Sequence, residues 1–318
     1  MSATASTAPR PFGVRIKLTD RIGEPLLRIL TSLAGLLVVV LLGWIAGTVF
    51  YQASPAISRF QLGFITSQTW DSTHGIFGAA DFIYGTVVSS FIALLIATPT
   101  AIAISVYLTE LAPRVIRRPV AILVELLAAI PSVILGLWGI LILGPFMGNH
   151  LEPFLHSFLG WIPLFGGIPS PFGMLPAALI LTIMALPIIT SITREVFQTT
   201  PTELKEGAYA LGATRWEMVR TAVLPVAKPG ITGAVILGLG RALGEAIAVT
   251  QVIGNATQIK ASLFAPAGTL AAQIASEYQS ANPGLWQASL LYLAAILLVI
   301  SLIVNIVARL IVRRSKVS

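Results

Sequence analysis

Two ionisable residues stand where such residues are costly. Arg241 and Glu245 lie within the apolar run 231–253, in the stretch GLGRALGEAIAV. A charge at the centre of a bilayer costs between about 3 and 10 kcal/mol, depending on the reference scale. The i, i+4 spacing puts both side chains on one helical face, where each neutralises the other. Two roles fit: a structural bridge between helices, or the charged part of a polar pathway. The planar guanidinium of an arginine also matches phosphate-like oxyanions, although Glu245 cancels part of its field. Glu125, early in the run 120–146, fits a structural and a functional role equally well. Much other chemistry is absent. There is no cysteine, and no lysine follows a glycine, so no G-K-[ST] phosphate loop exists. His74, His150 and His156 fall outside the apolar runs, with no H-E-x-x-H and no G-x-S-x-G. The sequence therefore predicts no catalytic residue, no metal site and no nucleotide site in this chain.

The elements that must position these residues are membrane helices. Of 318 residues, 56% are hydrophobic and only 10% charged, where a soluble domain carries about 25% charged residues. Apolar runs occupy 26–50, 82–108, 120–146, 174–192, 231–253 and 285–311. Each is long enough to cross about 30 Å of hydrocarbon as a helix. Backbone groups in lipid must pair internally, so helices are the form predicted, in an all-α protein of six spans. Lys and Arg set the orientation. Arg10, Arg15, Lys17, Arg21 and Arg28 precede or open the first run. Arg114, Arg117 and Arg118 follow the second; Arg194, Lys205, Arg215, Arg220 and Lys228 lie between the fourth and fifth; Arg309, Arg313, Arg314 and Lys316 end the chain. The alternate segments hold only Arg59 and Lys260. The positive-inside rule puts the basic segments, and both termini, in the cytoplasm. The +7 net charge is then a topology signal, and nucleic acid is not a predicted partner. The division predicted is a cytoplasmic tail 1–25, a first anchor helix 26–51, an extracytoplasmic loop 52–81, a transmembrane domain 82–312 with a cytoplasmic loop 195–228, and a tail 313–318.

That cytoplasmic loop is a polar island, TTPTELKEGAYALGATRWEMVRTAVLP over 199–225. It reads as two short helices. Thr200-Pro201-Thr202-Glu203 has capping-box spacing with proline at the first helical position. Gly212 suits a left-handed stop. Thr214-x-x-Glu217 is a second capping box, and Leu224-Pro225 closes the second helix, because proline lacks a donor and crowds the preceding turn. Such a unit, held outside the bilayer, is a handle for another protein or an ordinary solvated loop. Small residues Ala234, Gly238, Ala242 and Ala246 form a stripe suited to close helix packing, and Gly240 and Gly244 form a second small pair. Pro131 and Pro187 are predicted to kink their helices. Residues 269–280 read as a short amphipathic helix with Leu270, Ile274 and Tyr278 on one face.

The island resembles the cytoplasmic loop of binding-protein-dependent ABC importer permeases. Their E-A-A, glycine and L-P pattern reads here Glu206-Gly207-Ala208, Gly212 and Leu224-Pro225, continuing into Lys228-Pro229-Gly230-Ile231. Gly207 departs from the usual alanine, at a cost of roughly 0.5–1 kcal/mol to a helix. Phe77-Gly78 with Phe82-Ile83-Tyr84-Gly85-Thr86, ELLAAIPSVILGLWGI from Glu125, and GRALGEAIAV from Gly240 are similar to PstC-type permease subunits of the phosphate-specific (Pst) importer, over about residue 71 to the C-terminus. The resemblance implies a type I ABC importer fold in the bacterial inner membrane. It implies that Glu203, Glu206, Gly207, Ala208, Leu211, Gly212, Leu224 and Pro225 couple to an ATPase, with residues 201–211 as the coupling helix. It implies four kinds of partner: a second homologous permease of the PstA type, two ATPase subunits that bind the ATP and Mg, an extracytoplasmic phosphate-binding protein, and the lipid bilayer. It also implies a transport role for Arg241 and Glu245. From the residues alone, a permease for another oxyanion or an ion-coupled transporter without an ATPase remain alternatives.

Overall fold

The computed structural model describes residues 18–315, with side chains over 25–310. Arg10, Arg15, Lys17 and Lys316 lie outside the described residues, as do the side chains of Arg21, Arg313 and Arg314. The chain divides at Thr48 into two units, 1–48 and 49–318. The described part of the first is the N-terminal stretch of one long helix, α1 (Leu18–Phe60), which ends inside the second.

The larger unit is helical throughout, in the order α2 (Gly63–Thr66), α3 (Ala80–Leu111), α4 (Arg114–Ala129), α5 (Ser132–Leu159), α6 (Met174–Gln198), α7 (Thr202–Ala210), α8 (Arg215–Leu243), α9 (Ile247–Val252), α10 (Leu270–Glu277) and α11 (Leu285–Ser315). Among the described residues, six helices are long and apolar enough to cross a membrane: α1 from Pro25, α3, α5, α6, α8 and α11 to Leu310. The number of spans agrees with the sequence reading. Two of their paths do not.

The third span was predicted at 120–146, and the chain instead breaks at Ile130-Pro131. Both residues are extended (ψ 125° and 138°), because a proline ring disfavours helix in the residue before it. The span is displaced to α5. α4 is a separate amphipathic helix without a buried side chain, and it carries Glu125 outside the span. The fifth span was predicted through residue 253, but α8 stops at Leu243 and the short α9 follows. Nor does Leu224-Pro225 end a helix. α8 passes through it by a π turn at Val219–Val223, in which the Leu224 N–H reaches back to the Val219 carbonyl. The same device recurs inside α5, where π turns at Gly139–Leu143 and Met147–Leu151 precede Pro145 and Pro153 by two residues; the π turn Tyr107–Leu111 instead ends α3, with Ala112 and Pro113 extended. A widened turn moves the preceding carbonyls clear of the pyrrolidine ring, which an α turn cannot do. Pro99, Pro187 and Pro229 lie inside helices without one.

α6 is the central helix, packed against both α3 and α8. The predicted small-residue stripe makes this possible. Ala234, Gly238 and Ala242 are buried, and a Cβ on Gly238 would lie 2.7 Å from the Ile189 side chain of α6. Gly240 and Gly244, by contrast, face open surface. Across the α3–α6 interface, Ser105 Oγ donates to the Thr190 carbonyl at 2.9 Å and Thr182 Oγ1 to the Ala93 carbonyl at 3.3 Å. The amphipathic segment predicted at 269–280 forms α10, but as an interior element. Leu270, Ala271, Ala272 and Gln273 are buried, with the Leu270 N–H donating to Thr86 Oγ1. Its far end is held by Glu277 Oε2, which accepts indole N–H bonds from both Trp70 and Trp286 at 2.9 Å. In the same turn of α3 as Thr86, Gly85 meets backbone directly, since an added Cβ would clash with the Gly268 carbonyl oxygen. Gly85→Ala is therefore expected to destabilise the protein by about 1–3 kcal/mol through overpacking, while Gly233→Ala, with nothing within 4 Å of its Cβ, is neutral or stabilising. Thermal unfolding in detergent compares the two.

Candidate functional site

The break between α8 and α9 is the centre of the site. Gly244 (φ −92°, ψ 0°) and Ala246 (φ −106°, ψ −58°) lead the chain out of α8 and into α9. Glu245, between them, is buried with its side chain 5% exposed. Its Oε1 accepts the Ala248 N–H at 3.2 Å, and its Oε2 lies 3.3 Å from Arg241 Nη2. Each charge also sits at the favourable end of a helix dipole: Arg241 in the last turn of α8, and Glu245 ahead of the first turn of α9. The predicted i, i+4 pair thus exists, but it spans a break where a continuous helix was expected.

The two partners differ in access. The Arg241 side chain is 46% exposed, and it lines a cleft of about 250 Å³ together with Leu127, Ala128, Ile130, Leu135, Met184 and Ile188. The guanidinium is the cleft's charged group, set among apolar walls from α4, α5 and α6. Such a site presents a forked cation to an anion while Glu245 fixes its orientation from behind. α5 and α9 pack closely beside it, since a Cβ on Gly136 would lie 2.9 Å from the Ala248 Cα.

The polar island forms the second part. α7 ends as predicted, with Gly212 at φ +83°. The Ala213 N–H reaches the Ala208 carbonyl and the Gly212 N–H that of Tyr209, the two bonds of a Schellman stop. The second capping box is complete. Glu217 N–H donates to Thr214 Oγ1, and Thr214 N–H to Glu217 Oε2. The first is not formed. Pro201 takes the cap position (φ −54°, ψ 133°), α7 starts at Thr202, and the Thr200 hydroxyl is buried without a partner. None of α7 is fully buried. Glu203, Glu206 and Gly207 are exposed, Ala208 is half-buried, and Leu204, Tyr209, Leu211 and Trp216 expose apolar surface, Leu211 to 91%. Leu224 and Pro225 lie apart from this surface, inside α8.

Three polar ties on this side were not read from the sequence. Lys205 Nζ donates to Glu110 Oε1 at 2.7 Å, Arg194 Nη2 to Glu125 Oε1 at 2.9 Å, and Arg117 Nη2 to the Thr109 carbonyl at 2.9 Å. Glu125 is thereby an anchor of α4 on α6. The available signal was that acids at the ends of apolar runs sit among the basic residues of the same side. Among the described residues, no group of three or more His, Asp or Glu side chains could hold a metal ion.

A family model described as "Binding-protein-dependent transport system inner membrane component" matches residues 101–317. The "Phosphate transport system permease protein PstC" of Mesorhizobium japonicum is 48% identical over 93% of this chain and 90% of its own length. The protein of the same name from Haemophilus influenzae is 42% identical over 92% and 93%, and PstC 2 of Mycobacterium tuberculosis 40% identical over 95% of each. The chain belongs to the PstC family of binding-protein-dependent transport permeases. Among solved structures, a bacterial alginate ABC transporter chain covers 94% of this chain at TM-score 0.63 and 17% identity. An inward-facing MetNI methionine transporter chain covers 75% at TM-score 0.51 and 24% identity. These show the type I ABC importer permease fold in a multi-pass inner-membrane protein.

The geometry separates two contributions of Glu245. Glu245→Gln keeps an oxygen for the Ala248 N–H, whereas Glu245→Ala leaves that donor unpaired and is expected to cost about 1–3 kcal/mol more. Melting curves of the two variants in detergent measure the difference.

Proposed function

We propose that this chain is one of the two permease subunits of an ATP-driven importer of inorganic phosphate, lining half of the pathway. The observation that carries this reading is the half-exposed Arg241 guanidinium in a cleft among membrane helices, held by the buried Glu245. The relatives named as phosphate transport permeases, matched over nine-tenths of their length, support phosphate as the anion. In this reading both termini and the polar island face the cytoplasm, which the distribution of Lys and Arg supports.

The partners follow from what the chain lacks. It has no phosphate loop, so ATP and Mg belong to two copies of a separate ATPase. α7, with its exposed Leu204, Tyr209 and Leu211, docks on that ATPase, and Glu203 and Glu206 flank the contact. A PstA-type permease supplies the other half of the pathway, and an extracytoplasmic phosphate-binding protein delivers the anion. Closure of the ATPase pair moves α7, the membrane helices reorient, and phosphate passes Arg241. This chain's own residues then bind and orient the anion and catalyse no covalent step.

The test is phosphate uptake by the assembled complex in proteoliposomes. Arg241→Gln is expected to lower ATP-dependent uptake by about tenfold or more, consistent with losing a charged hydrogen bond of roughly 1.5–3 kcal/mol. Tyr209→Asp with Leu211→Asp is expected to release the ATPase on co-purification, since truncating central apolar contacts typically costs more than about 2 kcal/mol of binding. Uptake that survives both changes would refute the reading, as would transport by this chain alone without ATP.

A further inference from the structure

We propose that the Glu110–Lys205 ion pair is a strut that carries displacement of α7 to α4, and so to the wall of the Arg241 cleft; this rests on the coupling role of α7 above. Four facts support it. First, α7 has no fully buried residue, and among its apolar side chains Ala208 is the one packed against the buried cluster around Phe197 and Val219. Among the described residues, Lys205–Glu110 is the ion pair that ties it to another helix, at 2.7 Å, with the Glu110 side chain 10% and the Lys205 side chain 20% exposed. A pair this shielded is screened less than a surface pair and resists being pulled apart.

Second, Glu110 lies in the π turn Tyr107–Leu111 that ends α3. The same turn offers the Thr109 carbonyl to Arg117 of α4. One turn therefore holds α7 through an acid side chain and α4 through a backbone oxygen. Third, α4 lies at the margin of the core, packed on α6. It has no buried side chain, it is separated from α5 by the extended residues Ile130 and Pro131, and its other polar tie is Glu125 to Arg194 on α6. Fourth, the C-terminal end of α4 and the linker after it are part of the cleft, because Leu127, Ala128 and Ile130 stand in its lining with Arg241. A shift of α7 pulls Glu110, the π turn shifts Arg117, and α4 is drawn along its axis, so that Leu127 and Ala128 move with it while the extended Ile130-Pro131 linker gives. α6 and α8, packed together in the core, transmit the same push only by moving as a body.

Glu110 and Lys205 are positioning residues, since neither touches the anion, and the expected defect is loss of coupling with assembly intact. In proteoliposomes holding the complete complex, uptake of inorganic phosphate and ATP hydrolysis are measured together. Glu110→Gln is expected to retain the ATPase and its hydrolysis while phosphate moved per ATP falls by about fivefold or more, the range of ordinary coupling energies. Lys205→Met is expected to lower the same ratio, and Lys205→Arg to keep it. The exchange Glu110→Lys with Lys205→Glu is expected to restore the ratio to within about twofold of wild type. A wild-type ratio in Glu110→Gln would overturn the strut. So would a loss that follows departure of the ATPase, or an exchange that fails to restore. If the wild-type complex itself moves no phosphate with ATP, the coupling reading falls and the strut falls with it.

Discussion

Everything in this fold is arranged around backbone groups that cannot be left unpaired in hydrocarbon. A helix satisfies them by itself; a broken helix does not. The chain nonetheless breaks twice beside one cleft, at Ile130-Pro131 and at Gly244–Ala246. At the second break the repair is visible. Glu245 receives the Ala248 N–H that α8 no longer serves, and its charge is held by Arg241. The costly acid and the costly break offset each other, and the arginine that balances them is left with a free edge toward the cleft. A structural bridge and a charge facing a cleft, opposed as readings of the sequence, coexist in one arrangement.

The attachments on the two faces differ in kind. α6 is locked by small residues and by buried hydroxyls that bond across to α3. α10 is pinned by a carboxylate shared between two tryptophans. On the basic side, α4 and α7 pack on the core without a fully buried residue, and ion pairs and one carbonyl contact add their polar ties. Few buried apolar contacts mark the parts of a protein that move at low cost. A packed centre thus carries a more loosely attached periphery.

Much of this was legible in the residues. Apolar runs gave the number of spans, and the pattern around Gly212 gave the helix of the polar loop down to its left-handed stop. Arg241 and Glu245 stood out by their cost alone. What the sequence hid were departures from the regular helix. Hydropathy sees Val120 to Phe146 as one run, since Pro131 is a single residue in an apolar window. It equally passes over Gly244, because glycine is common in membrane helices. Leu224-Pro225 looked like an end because proline crowds an α turn, and here a π turn relieves the crowding. The ion pairs were hidden for another reason. Glu110 and Lys205 are 95 residues apart, and only the packed chain brings them together.

The π turn ahead of Pro225 has one more effect. Each residue of a helix advances its azimuth by about 100°, so one surplus residue before Pro225 rotates everything after it by that amount. Gly238 and Arg241 both lie downstream on α8. Without the surplus residue, the face now pressed on Ile189 would point elsewhere, and Arg241 would leave the cleft. The π turn ahead of the Leu-Pro dipeptide thus acts as the rotational phase setting between the polar loop and the arginine of the cleft.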